Sequence, residues 1–497
     1  MADIVLIYPL VGDMDIIREK PHLPLALIQA ASLVSRHYRV KIIDLRLLAD
    51  WREVLSRELA ASPLLAGFSV MSGSPVASAL EVSRHIRQNS DIPVVWGGNH
   101  PTLSPAETLA DPAVDIVVIG DGEETLLEMT DRLAAGKTLE GVKGLWAKQN
   151  GRIIRNEFRP AVNMNELPLP PYHLVDTERY IHQYRGRRII NLETSRGCRH
   201  TCRYCYHTGA TGHHAFRSLD ADKTLERLFW ARDQFAIDGV YLVDDNFFLD
   251  KARGLKIARH LAAEGGDFCW QIQGVDVPGM LSLDDEELGI LEKSRLQRVS
   301  VGAESGSPAT LRYIRKPHTI DMLIRANRRW SRYDINVFYS WMAGLPGETR
   351  ADIRRTVAMM FRVMRDNPRA RLSPLYNFLP FPGTSLWEEV TTAAGFRPPA
   401  SLEQWGEYDW NRVNVTYLDP ALKRLLNNLY LPSLCLDRKF DDYQIPGWLR
   451  LAISFYRPFA RMRMRTLFHQ LPVEKLAARF VGNRLNPSRR RSLPWTL

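Results

Sequence analysis

The sequence predicts an α/β protein built from two successive parallel β-sheets and a helical C-terminal region. Short continuous apolar runs alternate with helix-length segments over most of the 497 residues. Strands of this kind are buried on both faces by helices, which is typical of parallel sheets. The alternation occurs twice, and the length allows two to four domains. We therefore divide the chain into a doubly wound domain (1–134), a connector (135–187), a partial six-stranded β/α barrel (188–390) and a basic helical region (391–497).

The first domain shows a regular succession of strand and helix signals. Its strand candidates are "DIVLIYP" (3–9), "VKIIDL", "LLAGFSV", "IPVVWGG" and "DIVVIGDG". Helix formers with helical periodicity occupy "LPLALIQAASLVSRH", segments near 50–60 and 76–88, and a stretch from Glu123. This order predicts a Rossmann-like sheet. Glycine and polar residues follow the strands, at the edge where open α/β sheets bind ligands, although ordinary βα turns use the same residues.

The connector and the second set of strands follow. "WAKQNGRIIRNE" contains an Asn150-Gly151 hairpin signal, and the proline-rich "LPLPPYHL" excludes a helix or a central strand. From Arg188 we identify six strand candidates: "IINLET", "GVYLVDD", "FCWQIQ", "QRVSVGAES", "INVFYSWMAG" and "RLSPLYNFLP". Helix-length segments lie between most of them. They predict a partial β/α barrel with its functional residues at the C-terminal ends of the strands.

Three of the five cysteines lie within eight positions, as Cys198-x3-Cys202-x2-Cys205. So few cysteines do not indicate a disulfide framework, and Cys269 and Cys435 are interpreted as core residues. Neighbouring cations are expected to lower the pKa values of the three thiols; they are Arg196, Arg199 and Arg203. Structural zinc needs a fourth ligand, which a nearby histidine could supply: His200, His207, His213 or His214. A cubane iron–sulfur cluster on three thiolates leaves one iron open. The residues alone are compatible with either a zinc ion or an iron–sulfur cluster.

The spacing, its place after the first barrel strand and the aromatic Tyr204 before the third cysteine resemble the radical S-adenosylmethionine (SAM) superfamily. The resemblance implies that the cysteines hold a [4Fe-4S] cluster whose fourth iron binds SAM. One electron from the cluster then yields a 5′-deoxyadenosyl radical. It also implies SAM contacts by residues of the cysteine loop and of three later segments: Tyr204 near adenine, Asp244 or Asp245 at the methionine amino group, Glu304 at the ribose or a cation, and Gly344 and Gly347 near adenine.

A doubly wound domain ahead of this barrel resembles the cobalamin-binding subclass, which includes class B radical methyltransferases and the anaerobic oxidative cyclase of bacteriochlorophyll synthesis. The matching blocks are "PLALIQAASLV", "GFSVMSG", "WGGNHPT" and "VIGDGEET", and the resemblance covers about residues 1–400. It implies cobalamin contacts by Ser69, Ser72, Gly97, Gly98, His100, Gly120, Gly122 and Glu123. The sequence lacks Asp-x-His-x-x-Gly, so no motif histidine is expected on the lower face of cobalamin.

The resemblance implies an enzyme that transfers a methyl group from methylcobalamin to an unactivated carbon of a biosynthetic intermediate. One alternative is radical cyclisation or rearrangement without methyl transfer, and another is a non-catalytic cobalamin-binding or redox-sensing protein. The implied partners are a small-molecule substrate and an electron donor such as flavodoxin or ferredoxin. No catalytic residue is assigned. Candidates for the substrate cavity come from barrel strands three, five and six: Trp270, Gln271, Gln273, Tyr339, Trp341 and Tyr376.

The net charge of +10 resides in the C-terminal segment. Residues 447–497 contain eleven Lys or Arg and one acid, so the rest of the chain is formally neutral. A basic tail on a neutral body indicates a local contact and not a nucleic-acid partner. We expect a cytoplasmic protein, since neither a signal peptide nor a spanning segment is evident. Pro458 predicts two short helices that either cap the barrel or contact an anionic membrane; their expected face comprises Arg457, Arg461, Arg465 and Arg479 with Leu451, Ile453, Phe455 and Phe459.

Overall fold

The structure, a computed structural model, describes residues 2–12, 20–208, 215–392, 395–409, 415–443, 445–470 and Glu474. These residues form two seven-stranded sheets and one two-stranded sheet. Three residues named above lie outside the described ranges: His213, His214 and Arg479.

The first sheet has the strand order β2-β1-β3-β4-β5-β6-β7. Its strands are β1 (Ile4–Tyr8), β2 (Val40–Asp44), β3 (Leu65–Ser69), β4 (Val94–Gly97), β5 (Ile116–Val118), β6 (Leu145–Gln149) and β7 (Arg152–Arg155). The first five strands are parallel, in the order of a doubly wound fold, which confirms the predicted fold class. The Asn150-Gly151 hairpin is also confirmed. Its two strands extend this sheet beyond residue 134 in antiparallel pairing, while the domain limits themselves stay predictions.

Helices connect the parallel strands of the first sheet. They are α1 (Leu25–Val34), α2 (Trp51–Leu59), α3 (Ser74–Asn89), α4 (Asn99–Leu103), α5 (Pro105–Ala110) and α6 (Glu123–Ala134). The strands lie between helices on both faces, so that Ile4, Ile7 and Trp96 are inaccessible to solvent. Because the strands run parallel, the C-terminal ends of β1, β3, β4 and β5 meet at one edge.

The second sheet has the order β16-β15-β14-β13-β12-β9-β8. Its strands are β8 (His182–Tyr184), β9 (Arg187–Leu192), β12 (Gly239–Leu242), β13 (Cys269–Val275), β14 (Leu296–Glu304), β15 (Asn336–Ala343) and β16 (Ala370–Asn377). The small sheet pairs β10 (Ser195–Arg196) with β11 (Arg217–Ser218). Six parallel strands form the curled half-barrel, which confirms the partial barrel, and β8 adds an antiparallel edge.

Seven helices of the described residues surround the half-barrel. They are α7 (Ala221–Phe235), α8 (Lys251–Glu264), α9 (Val277–Ser282), α10 (Asp285–Lys293), α11 (Pro308–Tyr313), α12 (Ile320–Trp330) and α13 (Arg350–Asp366). The start of α13 is set by a capping box in which Thr349 and Asp352 satisfy each other's backbone N–H groups.

The alternation of side chains along the barrel strands sorts the six substrate candidates. Trp270 Nε1 donates to Ser294 Oγ at 3.0 Å and Tyr339 Oη donates to Asn327 Oδ1 at 3.0 Å, so both point outward under helices. Trp341 shares that face with Tyr339 and is fully buried. Gln271 and Gln273 lie on the opposite, inner face of β13. Tyr376 packs near Tyr430.

Four further helices follow the half-barrel within the described residues: α14 (Ser385–Thr392), α15 (Leu402–Glu407), α16 (Pro420–Leu434) and α17 (Gly447–Thr466). The expectation of two short helices around Pro458 is wrong, because α17 continues through this proline. Proline deprives the carbonyl of Ser454 of its helical donor, and Ser454 is exposed, so water can satisfy that carbonyl. None of the described helices has the length and apolarity needed to cross a membrane.

Candidate functional site between the two sheets

A cavity of about 380 Å³ lies between the C-terminal edges of the two sheets. Six of the eight residues expected at cobalamin line it: Ser69, Gly97, Gly98, Gly120, Gly122 and Glu123. The barrel and the cysteine loop supply the opposite wall: Glu193, Arg196, Gly197, Tyr206, His207, Asp245 and Gln273. Residues from both predicted domains therefore enclose one space.

Glycine is required at two positions of the upper wall. Gly98 has φ +98°, and a Cβ on it would lie 2.8 Å from Val70 N and 2.9 Å from Val70 O. Gly120 has φ +82°, and its N–H donates to Thr102 Oγ1 at 3.0 Å. Both conformations favour glycine. The sheet edge consequently presents bare backbone to the cavity, which suits the close approach of a large ring.

The structure places Ser72 and His100 outside the cavity wall, unlike the other residues expected at cobalamin. Ser72 Oγ lies 3.0 Å from His100 Nδ1, and the His100 ring meets the edge of Trp405 at 5.2 Å between centroids. Burial lowers the pKa of His100 to about 4, so the imidazole is neutral at pH 7. These contacts join the first domain to α15.

Arg196 binds three carboxylates from both walls of the cavity. Its guanidinium donates to Glu193 Oε2 at 2.7 Å, to Asp121 Oδ1 at 3.1 Å and to Glu123 Oε1 at 2.7 Å. Arg217 donates to both oxygens of Asp121, at 2.7 and 2.6 Å. Burial opposes the charge of Arg196, but the carboxylates raise its pKa well above the ordinary value. The Glu123 carboxylate, expected at cobalamin, thus faces an arginine that lies two residues before the first cysteine.

The three clustered cysteines occupy one loop behind β10. A turn from Cys202 O to Cys205 N, at 3.1 Å, folds the loop back, and the thiols form no disulfide. The expected lowering of their pKa values is wrong: burial raises all three, that of Cys205 to about 12. The cations are engaged elsewhere, Arg196 as described, Arg203 with Glu389 and Arg199 over the ring of Phe216.

The donor groups around the sulfurs fit an iron–sulfur cluster. The backbone N–H groups of His200 and His207 donate to the sulfurs of Cys198 and Cys205, each two residues along the chain. Asn246 Nδ2 lies 3.9 Å from Cys198 Sγ. Such N–H···S bonds stabilise thiolates, and metal binding deprotonates buried thiols. Within the described ranges, no three His, Cys, Asp or Glu side chains are grouped to hold a single metal ion.

Two of the four histidines considered as a fourth ligand are bound to carboxylates. His200 Nε2 pairs with Asp276, and His207 Nε2 lies 2.8 Å from Asp245 Oδ1. The other two, His213 and His214, lie outside the described residues.

Asp244 and Asp245 have different environments. Asp244 is inaccessible and accepts from Thr194 N at 2.7 Å, Thr194 Oγ1 at 2.6 Å and Ser195 Oγ at 2.7 Å. Asp245 accepts from Gly197 N at 2.7 Å and lines the cavity. Asp244 therefore orders the chain before the cysteine loop, whereas Asp245 is the carboxylate that an incoming ammonium group can reach.

The structure brings Tyr204 and Glu304 together through a lysine that the sequence analysis missed. Tyr204 Oη donates to Glu304 Oε1 at 2.9 Å, and Lys316 Nζ lies 3.0 Å from the same oxygen and 3.1 Å from Tyr204 Oη. Glu304 has φ +63°, a strained backbone for a residue with a side chain. Two roles were expected for Glu304, a contact with the ribose or an ion pair with a cation. The structure shows the ion pair, which Glu304 forms with Lys316.

Gly344 and Gly347 follow β15 with φ +89° and +71°. Gly344 faces α16 and the segment just before it, since a Cβ on it would lie 3.1 Å from Leu426 and 3.3 Å from Leu418. No atom lies within 4 Å of a Cβ built on Gly347. The segment is held by Glu348 Oε2, which accepts from Gly344 N at 2.6 Å.

Models of known families match both halves of this arrangement. The B12 binding domain matches residues 18–130, and the Radical SAM superfamily matches residues 192–360. Together they cover more than half of the chain. The chain belongs to the cobalamin-binding radical SAM proteins. Its B12-binding domain is the first sheet with its helices, and its radical SAM domain is the half-barrel with the cysteine loop.

Relatives of this radical SAM protein include methyltransferases and cyclases. An uncharacterised methyltransferase of Pyrococcus horikoshii is 28% identical over 440 residues, 87% of each chain. An anaerobic magnesium-protoporphyrin IX monomethyl ester cyclase of Synechocystis is 26% identical over 58% of each chain. The solved structure of the radical SAM methyltransferase TsrM of Kitasatospora setae, with cobalamin and a [4Fe-4S] cluster, superimposes with a TM-score of 0.66 at 18% identity, over 93% of this chain and all of that one. That likeness shows the shared fold.

Glu348 gives the radical SAM domain a predicted pH dependence of stability. Burial raises its pKa to about 7 from the ordinary 4.5, and Oε1 has no hydrogen-bond partner. The folded state then keeps a proton that the unfolded state releases, so stability falls as pH rises from about 4.5 to 7, by about 3 kcal/mol. We expect Glu348→Gln to remove this slope, measured by urea unfolding at pH 5 and 8. Exposed Glu226→Gln is the control, and equal slopes in all three proteins would contradict the prediction.

Proposed function

We propose that this radical SAM enzyme transfers a methyl group from cobalamin to an unactivated carbon of a small-molecule biosynthetic intermediate. The observation that carries the proposal is the shared cavity, where the bare glycine edge of the B12-binding domain faces Asp245, Gly197 and His207 beside the cysteine loop. A substrate in that space lies between the two cofactor sites. The relative from Pyrococcus horikoshii, a methyltransferase, supports methylation.

The bound groups supply the chemistry: a cluster-derived electron for cleavage of SAM and a cobalt-bound methyl group. The residues of the chain bind and orient them. Cys198, Cys202 and Cys205 would hold the cluster. Asp245 would accept from the SAM ammonium group. Tyr204, with Glu304 and Lys316 on its hydroxyl, would present its ring to the adenine. We propose no SAM contact for Asp244, whose hydrogen bonds to Thr194 and Ser195 order the chain before the cysteine loop.

The cobalamin site would be formed by the cavity-lining glycines and Ser69. Gly98 and Gly120 provide the close backbone approach, and Gly97 and Gly122 complete the edge. Ser72 and His100, which lie behind that wall, would support it without contact to the ring. Glu123 would affect the cobalamin site indirectly, through its ion pair with Arg196.

Counting products tests the proposal. We expect anaerobic turnover with SAM, reductant and candidate substrates to give 5′-deoxyadenosine and S-adenosylhomocysteine in equal amounts, since the proposed reaction would use one SAM as the source of the radical and one as the source of the methyl group. Mass spectrometry should show a product one methyl group heavier. Formation of 5′-deoxyadenosine without S-adenosylhomocysteine would instead support the second candidate, cyclisation or rearrangement, which the cyclase relatives favour.

The cobalt is expected to have no protein imidazole as a ligand. The structure buries His100, the histidine of the block "WGGNHPT", against Ser72 and Trp405, and His207, which lines the cavity, lies with Nε2 2.8 Å from Asp245 Oδ1. Electron paramagnetic resonance of the Co(II) form should therefore show no nitrogen superhyperfine splitting from the protein. A splitting that disappears in His100→Ala would show that this expectation is wrong.

The remaining partners are proposed on chemical grounds. Cleavage of SAM needs one low-potential electron, so we propose flavodoxin or ferredoxin as the donor and a cytoplasmic enzyme. We also propose that the basic C-terminal region makes a peripheral membrane contact.

A further inference from the structure

Helix α17 carries an exposed apolar stripe. Among the described residues nine large apolar side chains are strongly exposed, and five of them lie on this one helix, between 41% and 78% exposed: Trp448, Leu451, Phe455, Phe459 and Met462. They are spaced three or four residues apart, which aligns them on one side of the helix. The opposite side packs on α13 and α16 through Ala460 and Met464.

Arginines border this stripe without acidic neighbours on the helix. α17 contains five arginines and no Asp or Glu. Arg463 is buried and pairs with Glu474 at 2.6 Å. The other four have no ion-pair partner within the part of the chain that the structure describes: Arg450, Arg457, Arg461 and Arg465. Burial and the neighbouring charges of Arg457 and Arg465 lower the pKa of Arg461, which indicates that the cations crowd one another.

An anionic lipid bilayer fits this surface better than a second copy of the chain. A symmetric pairing through the stripe would bring the arginines of one copy against those of the other. Amphipathic helices with Trp and Phe on the apolar side and arginines on the polar side lie in the membrane interface, and anionic lipid headgroups neutralise the arginines. The sequence after Glu474 adds six more Lys or Arg and no acid.

We propose that α17 docks the enzyme on anionic membranes, with the stripe from Trp448 to Met462 inserted at the level of the headgroups and the arginines on the lipid phosphates. The proposal deepens the proposed function by specifying how the membrane contact is made. The docking itself does not depend on the proposed methyl transfer. Only its consequence does, namely that the enzyme would have access to substrates carried by the bilayer.

Vesicle flotation of the anaerobically reconstituted full chain tests the docking. We expect binding to vesicles of equal parts phosphatidylglycerol and phosphatidylcholine, and little binding to phosphatidylcholine alone. Phe455→Ser should weaken binding about tenfold or more, the loss of one buried aromatic. Arg450→Gln with Arg465→Gln should weaken it about 30-fold, and raised salt should act in the same direction.

Matched substitutions control for exposure and charge. Ile153→Ser removes an exposed apolar side chain from the first sheet, and Arg325→Gln removes an exposed arginine on α12; both should bind vesicles as the unmodified chain does. Cluster content and SAM cleavage in solution should be unchanged in every variant, which separates docking from the proposed chemistry. Failure to bind anionic vesicles, or equal binding by the α17 variants, would overturn the proposal even if methylation is demonstrated.

Discussion

Replacement of Cys198, Cys202 or Cys205 by Ala is expected to abolish the cluster and all cleavage of SAM. Three protein thiolates hold the [4Fe-4S] cluster in this family, and loss of one leaves two irons without protein ligands. The structure offers no substitute cysteine on the loop, since Cys269 is buried in β13 and Cys435 follows α16. We expect about four irons per chain after anaerobic reconstitution of the unmodified protein, and activity below detection in each variant.

Cys435→Ala is the matched control for the cysteine variants. It removes a partly buried thiol outside the loop and should keep iron, brown colour and 5′-deoxyadenosine formation. A full complement of zinc and no iron in the anaerobically isolated protein would contradict the cluster assignment. Retention of SAM cleavage by Cys202→Ala would do the same.

The parallel strands of both sheets were predictable because each of them carried a local sequence signal, whereas the short strands β8, β10 and β11 did not. β1 and β3 are continuous apolar runs, and helix formers with helical periodicity separate such runs. The Asn150-Gly151 pair marks its hairpin by turn chemistry alone. What the local sequence does not contain is the partner of an edge strand, so the attachment of β6 and β7 to the first sheet was missed. The prediction of two short helices around Pro458 was wrong for a related reason. The free-energy cost of a proline inside a helix depends on whether water reaches the carbonyl that loses its donor, here that of Ser454.

Within the site, the spacing of residues was informative and their partners were not. Cys198, Cys202 and Cys205 share a loop as expected, and the glycine edge faces Gly197 and His207 at the two ends of that loop across the cavity. The sequence could not separate Asp244 from Asp245, because both follow the end of β12 and only the fold decides which carboxylate is buried and which one lines the cavity. Lys316 lies twelve residues after Glu304 and carried no signal of its own. The effect of Arg196 on the pKa values of the thiols was misjudged, since two of its three carboxylate partners, Asp121 and Glu123, come from the other domain.

Loss of Arg196 is expected to destabilise the protein more than loss of any other cation at the cavity. Its side chain is 13% exposed and binds Glu193, Asp121 and Glu123, whose side chains are 22%, 11% and 2% exposed. Removing the cation leaves the buried Glu123 carboxylate without its charged partner, which costs about 3–5 kcal/mol of the free energy of unfolding, while Asp121 keeps its bonds from Arg217 and Glu193 keeps its bond from Gln29. We expect this loss for Arg196→Gln in urea unfolding, together with weakened cobalamin binding, because the same bonds join the two walls of the cavity.

Comparison with two other arginines tests whether the network or the charge alone is responsible for this loss. Arg217→Gln should cost less, because Asp121 keeps its bond to Arg196. Arg57→Gln, in an exposed pair with Glu53, should change stability by no more than about 0.5 kcal/mol. Arg196→Gln combined with Glu123→Gln should recover part of the loss, since one unpaired carboxylate is removed. If Arg196→Gln were no more harmful than Arg57→Gln, the bond network would not be what joins the B12-binding domain to the cysteine loop.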